Sequence, residues 1–136
     1  MFLTLVVLLN VAVPAAPDFA RISARDFEDF ESCYGSFQGA TAVLPKLKSE
    51  MPPDDFAAVA HAMDNLAEDF TDLERRLSRL MPGTDRNALR QANVLGRSPW
   101  ENPGNQTLAF WSGNGPMSIY CFGLTKRLGE DIPRGF

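Results

Sequence analysis

The sequence contains few of the residues that bind metals or perform nucleophilic catalysis. It has one histidine, His61, and two cysteines, Cys33 and Cys121, among 136 residues. The cysteines form no CxxC or CxxCH motif, so neither a zinc site nor a haem attachment site is expected. GxSxG, GxGxxG and Walker-type sequences are also absent, which argues against a serine hydrolase and a nucleotide-binding enzyme. We therefore predict that the protein is not an enzyme and has no cofactor.

Basic residues form no dense run in the chain. The net charge is −4, and acidic residues predominate up to residue 74, whereas basic residues predominate after it. The basic residues of the second half lack the interleaved aromatic residues typical of a nucleic-acid site. They are Arg75, Arg76, Arg79, Arg86, Arg90 and Arg97. We expect no nucleic-acid partner, and the division of charge favours contact between the two halves or a surface with two faces.

The longest apolar stretch lies at the N-terminus. It is too short to cross a bilayer, and one Asn and one Pro interrupt it. Val13 and Ala15 are small residues at the −3 and −1 positions for cleavage after Ala15. The pattern predicts a signal peptide over 1–15 and a single helical domain over 16–136, with no membrane span after cleavage. No Lys or Arg precedes the apolar stretch, which would fit a mis-set start site, a weak signal or an uncleaved anchor. A buried N-terminal helix is the other alternative. We expect a periplasmic or secreted protein.

Export would determine how the two cysteines are used. In an oxidising compartment an even number of cysteines indicates a disulfide, so Cys33 and Cys121 are predicted to be bonded. Such a bond would close most of the mature chain into one loop, which the chain-entropy model values at roughly 4–5 kcal/mol. If the chain is not exported, two buried free thiols are the alternative.

The strongest periodic pattern lies in residues 54–81. Large apolar residues recur at alternating spacings of three and four, which places them on one seam of an α-helix. They are Phe56, Val59, Met63, Leu66, Phe70, Leu73, Leu77 and Leu80. The mean period of about 3.5 residues is typical of bundles and coiled coils. We expect this helix to lie centrally in the fold, and a monomer is favoured over a two-chain coiled coil because other helices offer complementary faces.

Shorter helical patterns flank the long helix. One begins at Arg25 and is kinked or ended by Pro45, and within it Gly35 and Gly39 share a face that would admit a close neighbour. Their other interpretation is a modest loss of helix propensity. A second short helix is predicted over 85–95.

The region after the second short helix is rich in proline, glycine and tryptophan. Gly96 is predicted to end that helix, and 97–115 to be irregular. The last helix is predicted over 116–128, with a β-strand at 118–122 as the competing interpretation. Together these patterns predict an all-α fold, a small antiparallel bundle of three to four helices with a long connection before the last one.

Two surfaces are candidates for binding. The first consists of the aromatic residues in the long connection: Trp100, Phe110 and Trp111. Exposed tryptophans mark recognition surfaces, although covering the end of the core is the alternative. The second is the outer face of the long helix, where His61 is accompanied by Glu68 and Asp72. Such a face needs no function, and we predict no metal there.

Binding of another macromolecule is the function that this pattern favours. An intact core pattern without a catalytic constellation supports an exported helical bundle with a protein partner whose identity the sequence does not indicate. One alternative is a small-ligand or metal carrier. Another is a periplasmic stress chaperone, which would loosen near pH 3–4 as its carboxylates become protonated.

Overall fold

The structure, a computed structural model, describes residues 22–111 and 118–135, and these residues contain five α-helices. The helices are α1 (Ala24–Val43), α2 (Pro53–Leu80), α3 (Arg86–Glu101), α4 (Gln106–Trp111) and α5 (Ile119–Asp131). Short 3₁₀ segments follow α1 and α3, at Leu44–Leu47 and Pro103–Asn105. The predicted all-α bundle is confirmed. The predicted signal peptide lies outside the described residues.

The most buried helix is α1, although the long α2 has the more regular apolar seam. Ten of the 20 residues of α1 are buried, against five of the 28 residues of α2. At 100° per residue the buried positions of α1 fall on every side of the helix. Residues of α2, α3 and α5 cover these sides, so α1 is the central helix of the fold, and the prediction that the long helix α2 lies centrally is wrong. It runs antiparallel to α2 and α5 and parallel to α3.

Helices α1 and α3 touch through their backbones at two glycines. A Cβ atom built on Gly35 would lie 2.0 Å from the carbonyl oxygen of Asn93, and one built on Gly96 would lie 1.9 Å from that of Ser32. Both distances are far inside van der Waals contact, so only glycine allows this approach. The close packing that the spacing of Gly35 and Gly39 indicated is therefore present. On Gly39 the neighbour is the indole ring of Trp100.

The predicted end of the second short helix is wrong. Gly96 does not stop this helix, because α3 continues to Glu101 with Pro99 inside it. The glycine serves the contact with α1 instead. Pro99 cannot donate a hydrogen bond to Leu95, but both residues are exposed, so water can satisfy the free carbonyl. The region predicted to be irregular is consequently helical over much of its described part.

The apolar seam of α2 packs against an aromatic cluster of α1. Phe70 is 1% exposed, and its ring centroid lies 5.6 Å from that of Phe30, 5.4 Å from that of Tyr34 and 5.0 Å from that of Phe37. Four seam residues are fully buried, namely Met63, Phe70, Leu73 and Leu77. The seam residue Leu66 is only partly buried.

The last helix is attached to α1 by a disulfide and by an ion pair. Cys33 and Cys121 are bonded, with their Cα atoms 5.7 Å apart, which confirms the predicted pairing. Arg127 contacts the carboxylate of Asp26 at 2.7 Å. Burial raises the pKa of Asp26, but the backbone N–H of Ser23 and the Arg127 guanidinium outweigh it and hold that pKa below its usual value.

Helix α5 also settles the competition between helix and strand. The helix begins at Ile119 after the cap Ser118, whose hydroxyl accepts a hydrogen bond from the Cys121 N–H. The strand interpretation of 118–122 is therefore wrong. Residues 112–117, which contain the predicted start of this helix, lie outside the described residues.

We expect Gly96→Ala to destabilise the fold by about 1–3 kcal/mol, because the new methyl group would overlap the backbone of α1. Gly123→Ala is the matched control. It lies inside α5 with no atom within 4 Å of the added Cβ, so it should stabilise the protein by about 0.5–1 kcal/mol. Urea unfolding of both variants with the disulfide intact measures the difference. Equal stability of the two variants would contradict the close helix contact.

Removing the disulfide should cost about 4–5 kcal/mol by the chain-entropy model. We expect the denatured protein to show no reactive thiol before reduction and two afterwards, since it has two cysteines. A double Cys33→Ala, Cys121→Ala variant should match the reduced protein in urea unfolding and should not respond to dithiothreitol. Thiols that react before any reduction would show that the bond is absent in solution.

Candidate binding surface

The large apolar side chains that are exposed in the described residues all come from one part of the sequence. They are Val94, Leu95, Leu108, Trp111, Ile119, Tyr120 and Phe122, with exposed fractions between 43% and 93%. Helices α1 and α2 contribute none of them. We call these seven residues the apolar set. Single exposed apolar residues are ordinary, but a set restricted to α3, α4 and the start of α5 is not expected from chance scatter.

The two tryptophans have different roles in the fold. Trp100 is 3% exposed, and its indole Nε1 donates a hydrogen bond to the hydroxyl of Ser36 at 2.9 Å. Trp111 is 62% exposed. Phe110 lies between them, edge-on to Trp100 at 5.9 Å and to Trp111 at 5.5 Å between ring centroids. The predicted aromatic group is thus brought together, but Trp100 anchors it in the core and Trp111 presents it to solvent.

A groove between α3 and α5 lies beside the disulfide. Its volume is about 330 Å³, and Cys33 and Cys121 are among its lining residues. Leu95 lines the α3 side and Tyr120 the α5 side. The Tyr120 hydroxyl donates to the carboxylate of Asp29 at 2.9 Å. Burial raises the pKa of Tyr120, and the Asp29 carboxylate raises it further, so the phenol keeps its proton at neutral pH.

The second predicted surface lies on a different helix. His61 and Glu68 are exposed on α2, as their register indicated. Asp72 forms ion pairs with Arg75 and with Arg76, the latter at 3.0 Å, and the Arg75 hydrogen bond lowers the pKa of Asp72. The arginines therefore neutralise part of this face.

A buried carboxyl was missed in the sequence. Glu31 of α1 is 7% exposed and accepts a hydrogen bond from the side-chain amide of Asn93 at 3.4 Å. Burial, followed by the adjacent Glu74 carboxyl, raises the pKa of Glu31 from 4.5 to about 8. The sequence position of Glu31 could have indicated its burial, because Glu31 is one helical turn from both Phe27 and Gly35 on a buried face.

No cluster of three or more His, Cys, Asp or Glu side chains is placed to hold a metal ion in residues 22–111 and 118–135. Within the same residues no helix combines the length and apolar character needed to cross a membrane.

Tryptophan fluorescence should distinguish the two aromatic environments. In Trp111→Phe the remaining Trp100 is buried, so we expect blue-shifted emission and weak quenching by acrylamide. In Trp100→Phe the remaining Trp111 should emit at longer wavelength and be readily quenched. Each variant in urea provides its own fully exposed reference. Equal quenching of the two folded variants would contradict this placement of the tryptophans.

Leu95 and Tyr120 in the groove, and Trp111 on its Trp100 anchor, are the candidate binding residues of α3, α4 and α5, whereas Phe122 of the apolar set lines a separate groove beside α2. Comparison of the chain with models of protein families, with curated proteins and with solved structures found no match.

Proposed function

We propose that the protein acts by binding another protein through the apolar set. The observation that supports this proposal most directly is the restriction of all exposed large apolar side chains in the described residues to α3, α4 and α5. Burying such side chains against a partner yields roughly 25 cal/mol for each Å² removed from water. Exposure without a partner would only lower solubility.

The support beneath Trp111 favours recognition over accidental exposure. Phe110 contacts both Trp111 and the buried Trp100, and Trp100 is held by the Ser36 hydroxyl. The exposed indole of Trp111 is therefore held in place through contacts that reach the core. A side chain that is already ordered loses little conformational entropy on binding, which is why rigid aromatic residues are frequent hot spots.

The groove between α3 and α5 would fix the orientation of a bound partner. Leu95 and Tyr120 offer apolar walls, and the bond from Tyr120 to Asp29 fixes the orientation of the phenol ring. A partner that inserts one apolar side chain here and covers Trp111 would match the usual arrangement of an apolar centre with a polar rim. The disulfide is consistent with a periplasmic or secreted setting for this interaction.

Site-specific crosslinking in the cells that make the protein tests the location of the contact. A photoreactive amino acid replaces Trp111 or Ile119, and in control variants it replaces His61 or Glu68 on α2. We expect a crosslinked partner from positions 111 and 119 and none from the α2 controls. Equal crosslinking from α2, or crosslinks only to a second copy of this chain, would contradict the proposal.

Binding of the captured partner to purified protein tests the energetics. We expect Trp111→Ser to weaken binding by at least tenfold, since burial of a large aromatic side chain contributes about 2 kcal/mol or more at a hot spot. Ala58→Ser, at an exposed position of α2, is the control and should bind as the parent does. Unchanged affinity of Trp111→Ser in calorimetry would rule out this surface.

A further inference from the structure

A carboxyl pair lies where α1, α2 and α3 meet. Glu31 of α1 and Glu74 of α2 line the same cavity, Glu31 is 7% exposed, and Asn93 of α3 donates to Glu31 at 3.4 Å. The Asn93 amide also donates to Gln38 at 3.0 Å, so both acceptors lie on α1. Two adjacent carboxylates, one of them removed from water, cannot both be charged without a large cost. A proton shared between them removes that cost.

We propose that the Glu31–Glu74 pair is a proton-dependent latch that holds α2 against the joined helices α1 and α3. With one proton between the carboxyl groups, the pair forms a hydrogen bond from α1 to α2. When the proton is lost, two negative charges face each other, and the free energy needed to separate the C-terminal half of α2 from α1 falls. The latch goes beyond the proposed binding function, because it operates without any partner.

The packing makes the boundary between α2 and α3 weaker than the contact between α1 and α3. Backbone contact at Gly35 and Gly96 fixes α3 to α1 independently of side-chain charge. Between α2 and α3, in contrast, a cavity of about 250 Å³ lies beside the carboxyl pair, with Phe27 and Leu89 among its lining residues. A boundary that already contains such a cavity can widen with a smaller loss of packing than a tight interface.

The positively charged groups around the pair do not neutralise the carboxylates in place of the shared proton. From α3, Arg86 and Arg90 line the cavity, but both side chains are exposed, so water and salt screen their attraction for the carboxylates. From α2, Ser78 is the further polar residue of the lining. The described residues of α5 contribute nothing to this lining.

The direction in which pH changes the stability of the fold follows from the direction of the pKa shift of Glu31. The folded protein holds the Glu31 proton more tightly than the unfolded chain, because burial and then Glu74 raise its pKa from 4.5 to about 8. The resulting stabilisation is fully present below about pH 4.5, and it is lost as the pH rises from there through about 8.

Urea unfolding of the full chain between pH 5 and 9 tests the latch. For the parent we expect the folding equilibrium constant to fall roughly tenfold or more between pH 6 and 8. In Glu31→Gln an amide replaces the protonated carboxyl and can donate to Glu74 at every pH, so the decrease should be less than threefold. Asp64→Asn, which removes an exposed carboxylate of α2, should behave as the parent does. A parent-like slope for Glu31→Gln would overturn the proposal.

Two spectroscopic measurements test the latch without relying on stability. The ¹³C signal of the Glu31 carboxyl should titrate near pH 8 in the parent, and in Glu74→Gln its midpoint should move toward the usual range for glutamate. Amide hydrogen exchange in residues 73–80, corrected for its intrinsic pH dependence, should accelerate above pH 8 in the parent but not in Glu31→Gln. A Glu31 midpoint near 4.5 in the parent, or exchange that is equal in both proteins, would overturn the proposal.

Discussion

The fold depends on the contact between two helix backbones. Because Gly35 and Gly96 have no side chains, α1 and α3 approach until carbonyl oxygens occupy the space where Cβ atoms would stand. This approach allows Trp100 to pack against Gly39 and to reach the Ser36 hydroxyl, which closes one side of the core. The remaining sides of α1 are then covered by α2 and α5.

The same contact explains why a charged residue is buried. A helix with buried positions on every side cannot turn all of its polar residues to solvent, so some must be satisfied internally. In α1 Glu31 is such a buried polar residue. Asn93 can donate a hydrogen bond to it only because α3 lies so close. Burial of Glu31 is therefore a consequence of the glycine contact, and the raised pKa is a consequence of the burial.

Features that depend on local sequence were predictable, whereas those that depend on distant contacts were not. The seam of α2 repeats within one helix, and the pairing of Cys33 with Cys121 follows from their number. By contrast, Gly96 and Pro99 are ordinary stop signals until α1 is placed beside them. The central position of α1 was hidden because its buried faces include glycine, serine and glutamate, which lower any apolar periodicity.

In the candidate site, too, the environment of single side chains could not be predicted from local sequence. Residue type places Trp100 and Trp111 in one class, and only tertiary packing separates the anchor from the exposed ring. Helix α3 carries both Asn93, beside the latch, and Leu95, on the binding groove. If a partner prefers the latched conformation, thermodynamic linkage requires that the partner also tighten the hold on the Glu31 proton by the same factor. Partner affinity and proton affinity would then rise together, although neither ligand touches the other.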